Sequence, residues 1–320
     1  MRMWRAFAVG VCITAGVAQA EWAWAGRFRD PPPNGFHDPA CVAVAPATGN
    51  IYVAESSRVI YFTPTGNPLG FWHDTEPNHS LAVVKGVAVS PVSGDIYVTE
   101  WDARRVSHFT STGTYLGSWG GEGSGDGQFF LPEGVAVTPN GVVYVADTGN
   151  SRVQYFTPTG GYLGQWDTRD SGASRPARPS GVAFNAAGTV VYVTDNVSGV
   201  VQYFTSTGSL LGRWGVGGGG FGETDWCPGV AVGPDTSYVY VVDRTTSQVR
   251  YFTPTGELLG AFGSYGAGNG QFTRVNGVAL SRTGARLYVA DPGNDRVSYY
   301  ERNEPAVSPA SLGRVKVLFR

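Results

Sequence analysis

The sequence predicts an all-β chain folded as a six-bladed β-propeller of four-stranded antiparallel blades, its N-terminal strand closing the last blade. Three observations carry this. Of 320 residues, 46 are Gly and 20 are Pro, about a fifth of the chain against a usual ~12%. Charged residues are scarce at 15% and aromatics plentiful at 13%, a balance that excludes disorder and fits short strands joined by tight turns. Third, three strings recur in constant order along the chain. Tyr-Phe-Thr-Pro-Thr-Gly and its variants start at Tyr61, His108, Tyr155, Tyr203 and Tyr251, with a turnless copy at Tyr299. Cys41-Val42-Ala43-Val44 is followed in phase by Gly-Val-Ala-Val/Phe/Leu from Gly86, Gly134, Gly181, Gly229 and Gly277, and Tyr-Val-x-Asp/Glu starts at Tyr52, Tyr97, Tyr144, Tyr192, Tyr240 and Tyr288. A period of about 48 residues in six copies is a radial repeat, not a solenoid of helices.

Each unit reads as four strands. Strand A is the small, apolar Gly-Val-Ala-Val, B the Val-Tyr-Val-Ala run, C Arg-Val-x-Tyr-Phe and D Leu-Gly-x-Trp. Pro and Gly between A and B, and Thr-Pro-Thr-Gly between C and D, supply tight turns. Ala and Val innermost with aromatics further out suit a wedge around an axis, and radial packing leaves only short, protected edges.

At the N-terminus, Arg2 and Arg5 precede the apolar run Ala6 to Val17 and the small residues Ala18-Gln19-Ala20, the pattern of a secretory signal peptide over residues 1–20. The run is too short to span a bilayer. Residues 21–303 form the propeller and 304–320 a C-terminal tail, and the protein is expected outside the cytoplasm, in the periplasm, on the cell surface or extracellular. Removal of Arg2 and Arg5 leaves 21 basic against 25 acidic residues, a net charge of about −4 that disfavours nucleic acid as a partner. No membrane span and a monomer are expected. Cys41 and Cys227 fall in non-adjacent units and read as isolated thiols, although one disulfide between them remains available.

The last unit lacks its D strand, because Glu301 to Pro305 replaces Leu-Gly-x-Trp. The N-terminus offers a substitute: Trp24-Ala25-Gly26 aligns with Trp119-Gly120-Gly121, and Phe36 and Pro39 align with Phe129 and Pro132. The tail strand Arg314 to Phe319 is a rival donor.

These residues resemble the NHL-repeat family of six-bladed propellers. The third unit carries nearly the full pattern in Gly127-Gln128-Phe129, Pro132-x-Gly134, Val143-Tyr144-Val145-Ala146-Asp147 and Asn150-Ser151-Arg152-Val153; the sixth is close behind with Gly270-Gln271-Phe272 and Asn294-Asp295-Arg296. Tyr97 and Tyr192 also begin strings similar to the Tyr-Trp-Thr-Asp propellers of extracellular receptors. Relatives in the NHL family include amidating lyases with histidine-bound zinc, RNA binders with a basic face, and ubiquitin ligases with additional Cys/His domains. The acidity of this chain and its missing Cys/His domains argue against the last two.

Every B strand ends in an acid: Glu55, Glu100, Asp147, Asp195, Asp243 and Asp291. Arg58, Arg105, Arg152 and Arg296 follow in four blades, and such a pair across a hairpin fixes the loop by a charge-assisted hydrogen bond. A feature of every repeat serves the repeat. Val200 and Gln248 stand in the arginine position of units 4 and 5, so Asp195 and Asp243 require other partners.

In an A-B-C-D meander the B-C and D-A loops share a face, which also carries the variable insertions His73 to Lys85, Asp167 to Arg178 and Val216 to Cys227. Binding residues are expected there: Trp101, Arg104, Arg105, Arg152, Trp226, Arg244 and Arg274, since Trp and Arg are frequent anchors. No catalytic residue, metal or cofactor is predicted. The favoured function is a non-catalytic module that binds a protein, peptide or glycan. The alternative is a metal-dependent lyase or hydrolase using His37, His73 and His79; His108, the fourth histidine, fills an aromatic core position of strand C.

Overall fold

The computed structural model describes residues 22–28, 35–73, 81–169, 177–216 and 228–302. The signal sequence, Trp226, Cys227, His79 and the tail, including the rival closing strand, lie outside them. No described helix is long and apolar enough to cross a membrane.

The repeat strings become six four-stranded antiparallel sheets. β1 (Trp22–Phe28) precedes blade 1, which is β2 (Pro39–Val44), β3 (Ile51–Glu55), β4 (Arg58–Phe62) and β5 (Pro68–Trp72). Blade 2 is β6 (Val84–Val89), β7 (Ile96–Glu100), β8 (Arg105–Phe109) and β9 (Tyr115–Gly120). Blade 3 is β10 (Pro132–Val137), β11 (Val143–Asp147), β12 (Arg152–Phe156) and β13 (Tyr162–Asp167). Blade 4 is β14 (Pro179–Phe184), β15 (Val190–Asp195), β16 (Val200–Thr205) and β17 (Leu210–Gly215). Blade 5 is β18 (Val230–Val232), β19 (Val239–Asp243), β20 (Gln248–Phe252) and β21 (Leu258–Phe262). Blade 6 takes β22 (Val278–Leu280), β23 (Arg286–Asp291) and β24 (Arg296–Arg302) from the end of the chain and β1 from its beginning, in the order β1-β24-β23-β22.

Strands β2, β6, β10, β14, β18 and β22 contact one another in a closed cycle and line the axis. Their sequence explains how they come so near. A Cβ on Gly134 would fall on the carbonyl oxygen of Ser180 in the next blade, and one on Gly181 would lie 2.9 Å from that of Pro228. Glycine is needed wherever neighbouring backbones approach this closely. The core lies between blades: Ala88, Tyr97 and Val106 of blade 2 pack on Phe129, Val143, Val145 and Phe156 of blade 3, burying alternate residues of both sheets. The B-strand tyrosines reach further. Tyr52, Tyr97, Tyr144 and Tyr192 each donate a hydroxyl hydrogen bond, at 3.1, 3.0, 2.9 and 3.3 Å, to a carbonyl in the C-D turn of the following blade.

The N-terminal strand closes the ring, but its register differs from the sequence alignment. Gly26 pairs with Tyr299 and Phe28 with Val297, as Gly117 pairs with His108 and Trp119 with Val106 in blade 2. Gly26-Arg27-Phe28 therefore occupies the Gly-x-Trp place, and Trp24 lies further out, opposite Tyr300. The alignment failed because it matched tryptophan to tryptophan, whereas the core asks only for a large aromatic ring over the turn of the next blade. Phe28 packs on Phe62 at 5.4 Å and on Tyr288 at 5.9 Å. Phe36 is buried and Pro39 pairs with Glu55 as Pro132 pairs with Asp147, as the sequence implied.

Candidate binding site

The six acids are all buried, and their second partners explain why every blade keeps one. In five blades the carboxylate accepts a backbone N–H from the loop leading into strand A: His37 N at 3.0 Å for Glu55, Ala82 N at 2.9 Å for Glu100, Phe130 N at 2.8 Å for Asp147, Arg178 N at 3.2 Å for Asp195 and Thr273 N at 3.1 Å for Asp291. Each of these five acids thus ties a D-A loop to a B-C hairpin. The pairs Glu55–Arg58, Glu100–Arg105 (2.8 Å), Asp147–Arg152 (2.7 Å) and Asp291–Arg296 (3.1 Å) form as expected. In blade 5, Asp243 finds Arg250, two residues beyond the usual position, at 2.9 Å. Asp195 accepts the N–H groups of Val197 and Ser198 at 2.8 and 3.0 Å as well.

On the face that carries these loops, the start of every A strand converges on the axis. The position before the strand-A glycine is held by Lys85, Glu133, Ser180, Pro228 and Asn276, with Ala40 at the same place in blade 1. Together with Asp38, Arg178, Asn196, Arg244 and Arg274 they line an axial cavity of about 380 Å³. A side cleft of about 430 Å³ between blades 1 and 2 shares Asp38, Ala40 and Lys85 with it.

Hydrogen bonds across blades hold the floor. Ser180 Oγ donates to Glu133 Oε2 at 2.5 Å, and Asn196 Nδ2 donates to the same oxygen at 3.2 Å. Asn276 Nδ2 donates to the Ala40 carbonyl at 2.6 Å, and its Oδ1 accepts from Arg244 Nη2. Burial raises the Glu133 carboxyl above its usual range, opposed by the Ser180 hydrogen bond and by the charges of Lys85, Arg178 and Arg244. Burial also lowers the affinity of Arg244 for its proton, with Glu133 acting against it. Arg274 forms an ion pair with Asp38 across the junction of blades 6 and 1.

Of the residues nominated from sequence, Arg244 and Arg274 line the cavity; Trp101 is not one of its lining residues, but Lys85 Nζ, which is, lies 6.0 Å over its ring. Arg104 turns away in a left-handed conformation, with Nη1 donating to the Asp102 carbonyl at 2.7 Å and Nε 3.6 Å from Glu122. Arg105 makes a two-pronged contact with Glu100 at 2.8 and 2.9 Å. Arg152 is a correction. It is buried and spends its guanidinium on Asp147, Gln165 and the carbonyls of Ser124, Gly125 and Gln128, so no donor faces a ligand. Trp226 lies outside the described residues.

The sequence reading missed Lys85, Glu133, Ser180, Asn196, Arg178 and Asn276. A signal was available: the residue before each strand-A glycine differs in every blade although its neighbours repeat. Among the described residues no group of three His, Cys, Asp or Glu is placed to hold a metal. His37 and His73 are exposed, and His79 falls outside the described set. His108 stacks on Tyr97 at 5.5 Å and approaches the Gly117 carbonyl through Nδ1 at 3.1 Å, in its core position. Cys41, a free thiol at the cavity wall, is raised in pKa by burial.

The NHL repeat family matches residues 131–156, in blade 3, and no curated protein matches the chain in sequence. Among solved structures, a catalytically inactive virginiamycin B lyase from Staphylococcus aureus with quinupristin is similar, with a TM-score of 0.62 and 16% identity over 88% of each chain. A streptogramin B lyase structure gives a TM-score of 0.62 and 15% identity, covering 88% of this chain and 99% of that one. Hydrazine synthase from Kuenenia stuttgartiensis gives 0.59 and 14%, covering 85% and 97%. At these identities the likeness is one of fold.

Proposed function

We propose that this six-bladed NHL-repeat propeller is a secreted binding module that seats a peptide or glycan, free or carried on a protein, in the axial cavity of its loop-bearing face. What supports the reading is the convergence there of six different residues from a position that the repeat leaves free, on a scaffold otherwise devoted to repeating strands and turns. Concave sites with a few converging polar groups on a rigid ring are where small ligands bind. The pattern of residues 1–20 supports export. Peptide and glycan arrays probed with the mature protein test the reading: capture of a defined compound class is expected, and no capture of either class overturns it.

Glu133 favours a second reading. A carboxyl whose pKa is raised by burial can serve as a proton donor or acceptor, and two of the similar structures are lyases. Incubating the mature protein with quinupristin and following its chromatographic retention and fragmentation pattern distinguishes the two, because elimination within a ring gives a linear isomer of unchanged mass. The binding reading expects an unchanged compound, and a ring-opened product would establish lyase chemistry.

A further inference from the structure

The acid that ends strand B and the third residue of strand C are matched in length from blade to blade. Asp147, Asp195 and Asp243 go with the long Gln154, Gln202 and Arg250, whereas the longer Glu55 and Glu100 go with Ile60 and Ser107. Blade 6 departs from the pattern, because Asp291 goes with Ser298. Two short side chains meet where every other blade has at least one long one.

The matched blades show what such a pair does. In blade 2, Ser107 Oγ donates to Glu100 Oε1 at 2.5 Å. In blade 3, Gln154 Nε2 donates to Asp147 Oδ2 at 3.1 Å and to the Gln128 carbonyl at 2.7 Å, while its Oε1 accepts from Gly127 N at 3.0 Å. Ser298 does neither. Its Oγ is fully buried and reaches no hydrogen-bond partner among the described residues, and the same holds for the hydroxyl of Tyr300, two residues along the same face of β24, where blade 3 has Phe156. Among the described residues these are the two buried hydroxyls in that condition. The charges of Arg296 and Asp291 act on the Tyr300 hydroxyl, which places it in their field. The enclosing elements β1, β23, β24 and the loop 264–272, whose carbonyls at Ala267, Gly268 and Gln271 bind Arg296, are all described.

A buried hydroxyl without a partner is costly. Exchanging glutamine for serine removes a methylene and a carboxamide and returns one hydroxyl, which leaves room for a water of ~30 Å³ in a polar setting, where a buried water makes about three hydrogen bonds.

We propose that blade 6 binds an internal water in the place that the Gln154 amide fills in blade 3, donating to Asp291 Oδ2 and the Gln271 carbonyl and accepting from Ser298 Oγ, with the Tyr300 hydroxyl as a further neighbour. Asp291 Oδ1 already accepts the N–H groups of Thr273 and Arg274. The water therefore helps to fasten the loop that delivers Arg274 and Asn276 to the axial cavity.

A crystal structure of the mature protein that resolves ordered water tests this. A water within about 3.2 Å of both Ser298 Oγ and Asp291 Oδ2 is expected; a Ser298 Oγ bonded directly to a protein atom, or a dry gap, overturns the inference. Variants give a second readout. Ser298→Gln supplies the amide of blade 3 and Asp291→Glu the reach of blade 2. Each is expected to displace the water and to melt at the parent temperature or a few degrees above it, whereas the double variant forces two long chains into one gap and is expected to melt below both. A double variant that melts at the sum of the two single shifts overturns the inference. Should Asp291→Glu fail to fold, the Ser298→Gln crystal structure decides: an amide in place of the water supports the site, and a water retained beside an outward-turned side chain contradicts it.

Discussion

Arg250 Nε lies 2.9 Å from Asp243 Oδ2, reaching it from the third position of strand β20, where blade 3 carries Gln154. Blade 3 has Arg152 and Gln154 bonded to Asp147; blade 5 has Gln248 and Arg250. The two residue types have exchanged places, and the side chains of one strand face still deliver a guanidinium to the same carboxylate. Asp243 is fully buried, so the charge requires its partner. Arg250→Ala is expected to destabilise the protein by about 3–5 kcal/mol. Gln248→Arg combined with Arg250→Gln, which restores the blade 3 pattern, should recover most of that in a denaturant titration. Failure to recover would mean that Arg250 acts mainly through its bond to the Val216 carbonyl, 2.9 Å away.

Closure depends on Phe28. A Cβ on Gly66, at φ +85°, would strike the Phe28 ring, as one on Gly160 would strike Trp119. Phe28→Ala should cost about 3–5 kcal/mol, and deletion of residues 22–28 should lower the melting temperature by many degrees. Phe28→Trp should be tolerated better than Phe28→Ala, because blades 1 to 4 carry tryptophan at this place. A melting curve unchanged on deletion would exclude β1 as the closing strand.

His108 replaces the tyrosine that other blades place in strand C. Burial lowers its pKa from 6.5, so the folded state binds fewer protons than the unfolded one. Stability is therefore complete above about pH 6.5 and falls as the pH drops toward the lowered value. His108→Tyr should remove this sensitivity, seen as a melting-temperature gap between variant and parent that widens below about pH 6.5. A constant gap would mean that the histidine binds its proton equally well folded and unfolded.

Glu133 behaves in the opposite sense. Its raised pKa means that the folded state holds the proton longer, so stability falls as the pH rises through the carboxyl range toward the raised value. Glu133→Gln keeps an acceptor for Ser180 and should raise the melting temperature at neutral pH by a few degrees, the gain vanishing below about pH 4. A loss of stability at neutral pH would show that the surrounding cations outweigh burial.

The ring, its strands and its acid–arginine pairs could be read from sequence because they repeat, and a feature seen in register six times separates itself from chance. The cavity could not be read so easily. Its residues are six single substitutions some 48 positions apart, brought together only when the A strands close around the axis. The nominated Arg152 shows the converse error: a residue typical of interfaces was buried by the repeat itself. Trp24 misled the register because residue identity was followed where the core requires only ring size and the glycine two places before it.

The central claim is that ligands enter the axial cavity and do not bind on the rim around Arg104. Capture of one array-selected peptide or glycan, measured side by side for the parent protein, Asn196→Trp and Arg104→Ala, tests it most directly. An indole at position 196 fills part of the cavity, whereas Arg104 faces Glu122 on the outside. Loss of capture by Asn196→Trp, with capture by Arg104→Ala and both melting curves intact, is the predicted result. Capture retained by Asn196→Trp and lost by Arg104→Ala would contradict the account.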